Sequence, residues 1–209
     1  MPALREFPPT PQPAAFGIPL DGGRVQSISV NPVHPERVLV ANQFGGLWAS
    51  DNSGANWRHV GSLDSVFAID VAYSLDGDHV IATLGRDTSV ANGGGIWTSA
   101  SGGWVWDHPL SSVPPASPRT PARQSAYGIS WSPDTPGCAY VGTDHGVAVT
   151  SDYGATWFHR MLESTSAVAS DKLQNAVTSV LALPNNRQWC RRGPAFTAAT
   201  TAATPGTGS

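Results

Sequence analysis

Apolar residues occur from residue 23 onward in short runs, which are separated by turns rich in glycine, proline, asparagine and aspartate. Short runs between such turns are typical of strands rather than helices. The runs recur in three groups of four. The predicted strands are Val25–Val30, Arg37–Ala41, Leu47–Ser50 and Trp57–Val60 in the first group, Val66–Tyr73, His79–Leu84, Ile96–Ser99 and Trp104–Asp107 in the second, and Tyr127–Trp131, Cys138–Gly142, Val147–Thr150 and Trp157–Arg160 in the third.

These groups repeat at a nearly constant spacing. The third strands begin at Leu47, Ile96 and Val147, which are 49 and 51 residues apart. Four short strands in such a unit are what one blade of a β-propeller requires. A fourth copy starts with Val177–Leu183, and we recognise no second strand after it. The sequence therefore predicts an all-β propeller of four-stranded antiparallel blades, with three blades and a partial, incomplete fourth.

The repeats define the predicted domain boundaries. Residues 1–22 form a proline-rich lead-in, residues 23–187 hold the propeller repeats, and residues 188–209 form a low-complexity tail that we expect to be disordered. A propeller closes with about four to eight blades. The incomplete arc thus favours a truncated or frame-shifted product of a longer gene, and the alternative is an arc completed by a second copy of the chain.

The third strand of the first and third groups ends in the same polar motif. It reads Ser50-x-Asn52-x-Gly54-x-Asn56-Trp57 in one and Thr150-x-Asp152-x-Gly154-x-Thr156-Trp157 in the other, and a degraded copy lies between them as Thr98-x-Ala100-x-Gly102, followed by Trp104 and Trp106. An Asp or Asn side chain in a turn accepts hydrogen bonds from nearby backbone N–H groups, and glycine supplies a positive φ. The tryptophan is expected to be buried between neighbouring sheets. We therefore predict structural roles for Asn52, Gly54, Trp57, Asp152, Gly154 and Trp157.

This motif resembles the Asp-box, or BNR repeat, of sialidases, xyloglucanase-type glycoside hydrolases, sortilin-like receptors and a photosystem assembly factor. The resemblance implies a β-propeller whose boxes lie on the face opposite the binding site. It is closest to the xyloglucanase-type hydrolases over residues 38–50 and 139–157. In that family a Thr-Asp pair in the first blade supplies a catalytic acid. Here the matching residues are Asn42 and Gln43, and glutamine cannot transfer the proton.

Composition and charge narrow the classes of partner. The chain has 209 residues and a net charge of −3, with one lysine, Lys172, and no basic run. Nucleic acid and anionic membrane surfaces are therefore poor partners. No apolar run approaches the ~20 residues that a membrane span needs. The two cysteines and six histidines show no metal-ligand spacing, and there is no phosphate-binding glycine loop. We expect no cofactor and no metal.

The loops between second and third strands should share one face of the propeller with the connections between blades, and the resemblance places ligands on that face. The residues predicted to bind a ligand there are Gln43, Phe44, Arg86, His145 and Trp106. Asp87 and Asp144 lie at comparable positions in successive copies. They are the candidate catalytic pair, because glycoside hydrolysis needs two carboxylates across a cleft. The alternative is that each aspartate caps its own turn.

Two functions from different classes fit this pattern. The favoured one is a non-catalytic recognition or scaffold module that binds a glycan or a protein through the loop face. The alternative is a glycoside hydrolase of xyloglucanase or sialidase type, or a fragment of one. Open propeller edges would also allow self-association. The sequence does not assign a compartment. The chain as written shows no signal peptide, which fits a cytoplasmic protein, and a true N-terminus further upstream would fit a secreted one.

Overall fold

The computed structural model describes residues 23–63, 67–85, 94–112, 125–144, 146–161 and 176–184, and the backbone alone of residues 187–192 and 195–199. The predicted lead-in, residues 1–22, lies outside the described residues. None of the helices in these ranges has the length and apolar character that a membrane crossing requires.

The described strands form four antiparallel sheets, each with its strands in sequence order. The first sheet contains β1 Val25–Val30, β2 Val38–Asn42, β3 Gly46–Ser50 and β4 Arg58–His59, and the second contains β5 Ala68–Tyr73, β6 Val80–Leu84 and β7 Gly95–Ser99. The third contains β8 Ala126–Trp131, β9 Ala139–Thr143, β10 Gly146–Thr150 and β11 Phe158–Met161, and the fourth contains β12 Val177–Leu183, β13 Arg187–Arg192 and β14 Ala195–Ala199. The prediction of an all-β propeller with three blades and an incomplete fourth is confirmed.

The second blade differs from its neighbours at its outer edge. The sequence predicts a closing strand over Trp104–Asp107, but the described structure has only an isolated bridge there, between Thr98 and Asp107. The two residues exchange backbone hydrogen bonds of 2.9 and 2.8 Å. The chain then makes a short 3-10 turn at Leu110–Ser112.

The expected disorder of residues 188–209 is not what the structure shows at residues 188–192 and 195–199. Strand β13 pairs with β12 in a register that places Val180 opposite Cys190, and β14 pairs with β13 so that Cys190 lies opposite Thr197. The edge of β12 offers unpaired N–H and C=O groups, and any backbone without proline can bond to them. Such pairing uses the backbone, so the low-complexity composition of residues 188–209 does not reveal it. The fourth sheet is therefore a three-stranded blade.

The first strands β1, β5, β8 and β12 are innermost and lie side by side. Each carries an irregularity near its start, and this common feature aligns Ile28, Val71, Ile129 and Val180 as equivalent positions. Backbone N–H groups reach across to the preceding blade. The N–H of Tyr73 donates to Ser29 Oγ (3.0 Å), and the N–H of Ala182 donates to Ser130 Oγ (3.0 Å).

The core consists of three apolar layers, one between each pair of adjacent blades. We call the side of a blade that meets the next blade its forward face, and the other side its back face. In the first layer the forward face of the first blade, with Leu39 and Leu47, packs on the back face of the second, with Val71 and Val80. The alternation along each strand sends neighbouring residues to opposite faces. Interior blades are therefore apolar on both sides.

Each of the first three blades carries an eight-residue turn that begins at the end of its third strand, at residues 50–57, 99–106 and 150–157, which we name the Trp turn. The first residue of each turn accepts a hydrogen bond from the glycine N–H through its hydroxyl, and the third residue accepts one from the N–H of the seventh. The glycine-to-hydroxyl distances are 2.8 Å for Gly54 and Ser50, 3.0 Å for Gly103 and Ser99, and 2.9 Å for Gly154 and Thr150. The second bond is 2.8 Å long in all three turns.

The second Trp turn corrects the register expected from the sequence. It begins at Ser99 and not at Thr98, and it reads Ser99-x-Ser101-x-Gly103-x-Val105-Trp106. Serine replaces the Asp or Asn of the other copies, and Ser101 Oγ still accepts from the N–H of Val105. Trp106 is therefore the buried tryptophan of this turn, and its Nε1 donates to Gly103 O (3.0 Å).

Burial of the three tryptophans depends on the preceding blade. Trp106 packs in the layer between the first and second blades, and Trp157 in the layer between the second and third. Trp57 was expected to be buried but is 40% exposed, because no described residue covers the back face of the first blade. The sequence motif alone does not reveal this difference.

Trp104 and Trp106 both lie in the second Trp turn, and substituting each in turn tests its register. We expect Trp106→Ala to lower the free energy of unfolding by about 3–5 kcal/mol, the usual cost of deleting a buried aromatic side chain. Trp104→Ala is the matched control and should cost well under that, because Trp104 is 52% exposed and its ring lies under the Arg58 guanidinium at the surface. Urea unfolding followed by far-ultraviolet circular dichroism measures both. Equal losses would contradict the assigned register.

Candidate functional site

The loops after the second strands are each tied to the residue that precedes the innermost strand of the same blade. The N–H of Gln43 donates to Arg24 O (3.0 Å), that of Gly85 to Phe67 O (2.8 Å), and that of Asp144 to Ser125 O (3.2 Å). This repeated bond places the second-to-third-strand loops beside the starts of the innermost strands. Together they form what we call the loop face.

The same bond shows which loop residues are equivalent. Gln43, Gly85 and Asp144 each follow the last residue of a second strand and make the same contact. Asp87 comes two residues after Gly85 in the chain. In the second blade, Gly85 therefore makes the contact that Asp144 makes in the third. The assignment of Asp87 and Asp144 as a catalytic pair stays a prediction. Asp87 itself lies outside the described residues.

In the first blade, Asn42 organises the loop. Its Nδ2 donates to Gly23 O (2.9 Å), while its Oδ1 accepts from the N–H groups of Phe44 (3.1 Å) and Gly45 (3.0 Å). Gly23 is a close approach, since a Cβ there would lie 2.4 Å from Asn42 Oδ1. An asparagine at the end of an apolar strand therefore fixes the loop that carries Gln43 and Phe44.

An aromatic pair lies on the loop face between the first two blades. Phe44 is 59% exposed, and its ring meets the edge of Phe67 at a centroid distance of 5.5 Å and an interplanar angle of 78°. Phe67 leads into β5 and is packed against Gly85, where an added Cβ would come within 2.3 Å of the Phe67 ring. The pair is held by packing on one side and leaves the Phe44 ring open to a ligand.

In the third blade, both carboxylate oxygens of Asp144 are engaged. Oδ2 accepts from the N–H of Ser125 (2.9 Å), and Oδ1 accepts from the hydroxyl of Tyr127 (2.6 Å). Burial, this hydrogen bond and the charge of Asp144 raise the pKa of Tyr127 to about 12. The arrangement supports the alternative reading of Asp144 as a residue that caps its own turn, because both contacts hold the carboxylate against the start of β8 in its own blade.

Asp70 is a half-buried carboxyl group that the sequence pattern did not single out. It lies on innermost strand β5 at the strand irregularity, and its oxygens accept from the N–H groups of Val71 and Ile129, both at 2.9 Å. Burial raises the pKa of Asp70 above its ordinary value, although hydrogen bonds from Ser27, Ile129 and Val71 oppose the shift. The sequence does contain a sign of this residue, because Asp70 interrupts the apolar run VFAIDVAY. A charged residue inside a predicted strand, rather than in a turn, usually has a specific partner.

The remaining predicted site residues do not join this arrangement in the described structure. Trp106 is buried in its Trp turn, so its prediction as a ligand-binding residue of the loop face is wrong. Arg86, Asp87 and His145 lie outside the described residues. Within the described ranges, no group of three His, Cys, Asp or Glu side chains is arranged to hold a metal ion.

Known structures share this fold at low sequence identity. The GH74 enzyme of Niastella koreensis matches 81% of the chain with a TM-score of 0.57 and 15% identity. The computationally designed Ika4 protein matches 86% with a TM-score of 0.55 and 10% identity, and a chain of the nidogen–laminin complex matches 84% with a TM-score of 0.55 and 12% identity. No protein family model and no curated protein matches the sequence. At these identities the likeness shows the propeller fold alone.

The matched proteins differ in length. The chain spans 28% of the GH74 enzyme, 58% of the nidogen–laminin chain and 92% of the designed protein. The GH74 enzyme and the nidogen–laminin chain are therefore much longer than this chain.

Ionisation of Tyr127 tests the contact with Asp144. We expect an ultraviolet difference titration of wild type against Tyr127→Phe to give a pKa of about 12. Because this lies above the ordinary tyrosine value, the stabilisation is complete below pH ~10 and is lost as the pH rises towards the folded-state pKa. Asp144→Asn removes the charge and should lower the Tyr127 pKa. An unchanged titration in Asp144→Asn would contradict the contact.

Proposed function

We propose that the chain is a non-catalytic recognition module, which binds a glycan or a protein segment through its loop face. The observation that carries the proposal is the exposed Phe44 ring, held edge-on by Phe67 beside the polar loop of Asn42 and Gln43. Exposed aromatic rings next to amide groups suit both sugar stacking and protein contact. We also propose that the Trp turns are Asp-boxes. The hydrogen bonds that repeat within the three turns support this.

The state of Asp144 favours recognition over hydrolysis. Both of its oxygens are occupied by groups of its own blade. Retaining and inverting glycosidases need one carboxyl that donates a proton and a second that acts as nucleophile or base. Glutamine at position 43 supplies neither. The alternative, a glycoside hydrolase or a fragment of one that uses Asp87 and Asp144, draws its support from the sequence resemblance and from the fold shared with the GH74 enzyme.

A binding experiment separates these functions. The full chain is screened on a glycan microarray and on a displayed peptide library, and the best ligand is titrated by calorimetry. Phe44→Ala should weaken binding about tenfold, equivalent to ~1.4 kcal/mol, because a stacked aromatic contact is lost. Phe158→Ala is the matched control, since Phe158 is equally exposed but lies on the outermost strand β11.

Two results would contradict the proposal. One is the absence of a ligand in both screens, and the other is binding that Phe44→Ala does not weaken. Turnover of a β-glucan that disappears in Asp144→Ala would establish the hydrolase instead.

A further inference from the structure

The back face of the first blade is apolar, and no residue that the structure describes covers it. Three of its residues, Ile28, Val40 and Trp48, are paired across β1, β2 and β3 and so share one side of the sheet. We define the open face as these three together with Val30 and Trp57. Ile28 is 63% and Val30 is 52% exposed. Exposed apolar patches of this kind mark association surfaces.

The other blades show what covers an equivalent surface. Val71 and Tyr73 of the second blade occupy the positions of Ile28 and Val30, and both are buried against the forward face of the first blade. In the fourth blade the equivalent residues, Val180 and Ala182, are buried against the third. The same position is thus covered each time by the forward face of a preceding blade. The open face has the shape and chemistry to receive another such face.

At the other end of the arc, no described residue covers the forward face of the fourth blade. Leu181 lies there and is 52% exposed. It is equivalent to Ser29 and Ser130, whose hydroxyls accept a backbone hydrogen bond from the following blade. Leucine cannot make that bond. It suits an apolar neighbour, and Val30 of the open face is the residue that would lie beside it in the repeated geometry.

We propose that two copies of this chain associate head to tail, with the forward face of the fourth blade of each copy on the open face of the other. Two identical contacts then close a ring of eight blades, which is within the range that propellers adopt. Head-to-tail contacts are stable as a finite assembly only when the rotation closes in this way. The proposal concerns the ends of the arc and is independent of ligand binding at the loop face.

Mixing of two blocked variants tests both the partner and the orientation. Light scattering after gel filtration should give twice the 21.8 kDa chain mass for the wild-type chain. The double variant Ile28→Glu/Val30→Glu and the single variant Leu181→Glu should each be monomeric, because each loses both contacts of the ring. Mixed together, they retain one intact contact and should form a heterodimer that neither forms alone. Leu110→Glu is the matched control, since Leu110 is exposed away from both faces, and it should remain dimeric.

Each other outcome overturns the proposal. A monomeric wild-type chain at tens of micromolar would mean that another segment or partner covers the open face. A Leu181→Glu variant that stays dimeric would indicate a back-to-back dimer through the open face alone. Masses that grow with concentration beyond a dimer would show an open chain of arcs instead of a ring. The two blocked variants and the control all substitute exposed side chains, and circular dichroism should show the strand signal of the wild-type chain in each.

Discussion

Packing of the back face of one blade on the forward face of the blade before it is the contact on which the whole arc depends. A single four-stranded sheet has two apolar sides and cannot bury either of them alone. Each added blade covers one side of its neighbour and exposes another. Burial of the strand residues and of the Trp-turn tryptophans follows from this order. Trp106 and Trp157 are buried because a blade precedes them, and Trp57 is exposed where none is described.

The same stacking builds the loop face. Hydrogen bonds from Gln43, Gly85 and Asp144 to the starts of the innermost strands fix the loops relative to the packed centre. Between blades, Asp70 accepts from the N–H of Ile129, and Thr83 donates to Tyr127 O (2.6 Å). The side chains of Asp70 and Thr83 therefore hold the second and third blades together. Among the described residues of the loop face, Phe44 remains exposed to a ligand.

Much of the fold was predictable from local sequence. Strand positions, the spacing of the repeats and the Trp turns at 50–57 and 150–157 depend on interactions within a few residues, so the pattern of apolar and turn residues reveals them. The errors also have a physical cause. The turn at 99–106 was misread by one residue because serine can replace the Asp or Asn when only its oxygen is needed. Strands β13 and β14 were missed because an edge strand pairs through its backbone and leaves little trace in composition.

The sequence by itself determined an all-β repeat architecture, the polar turns and a composition without a basic run. Only the tertiary structure decided which side chains each blade covers. It moved Trp106 from a candidate ligand-binding residue to the core and tied both oxygens of Asp144 to its own blade. It also identified Asp70 as a half-buried carboxyl group that accepts a hydrogen bond from the next blade. The physical reason is that strand formation depends on neighbours in sequence, whereas exposure and hydrogen-bond satisfaction depend on residues some 40 to 60 positions away, in the next blade.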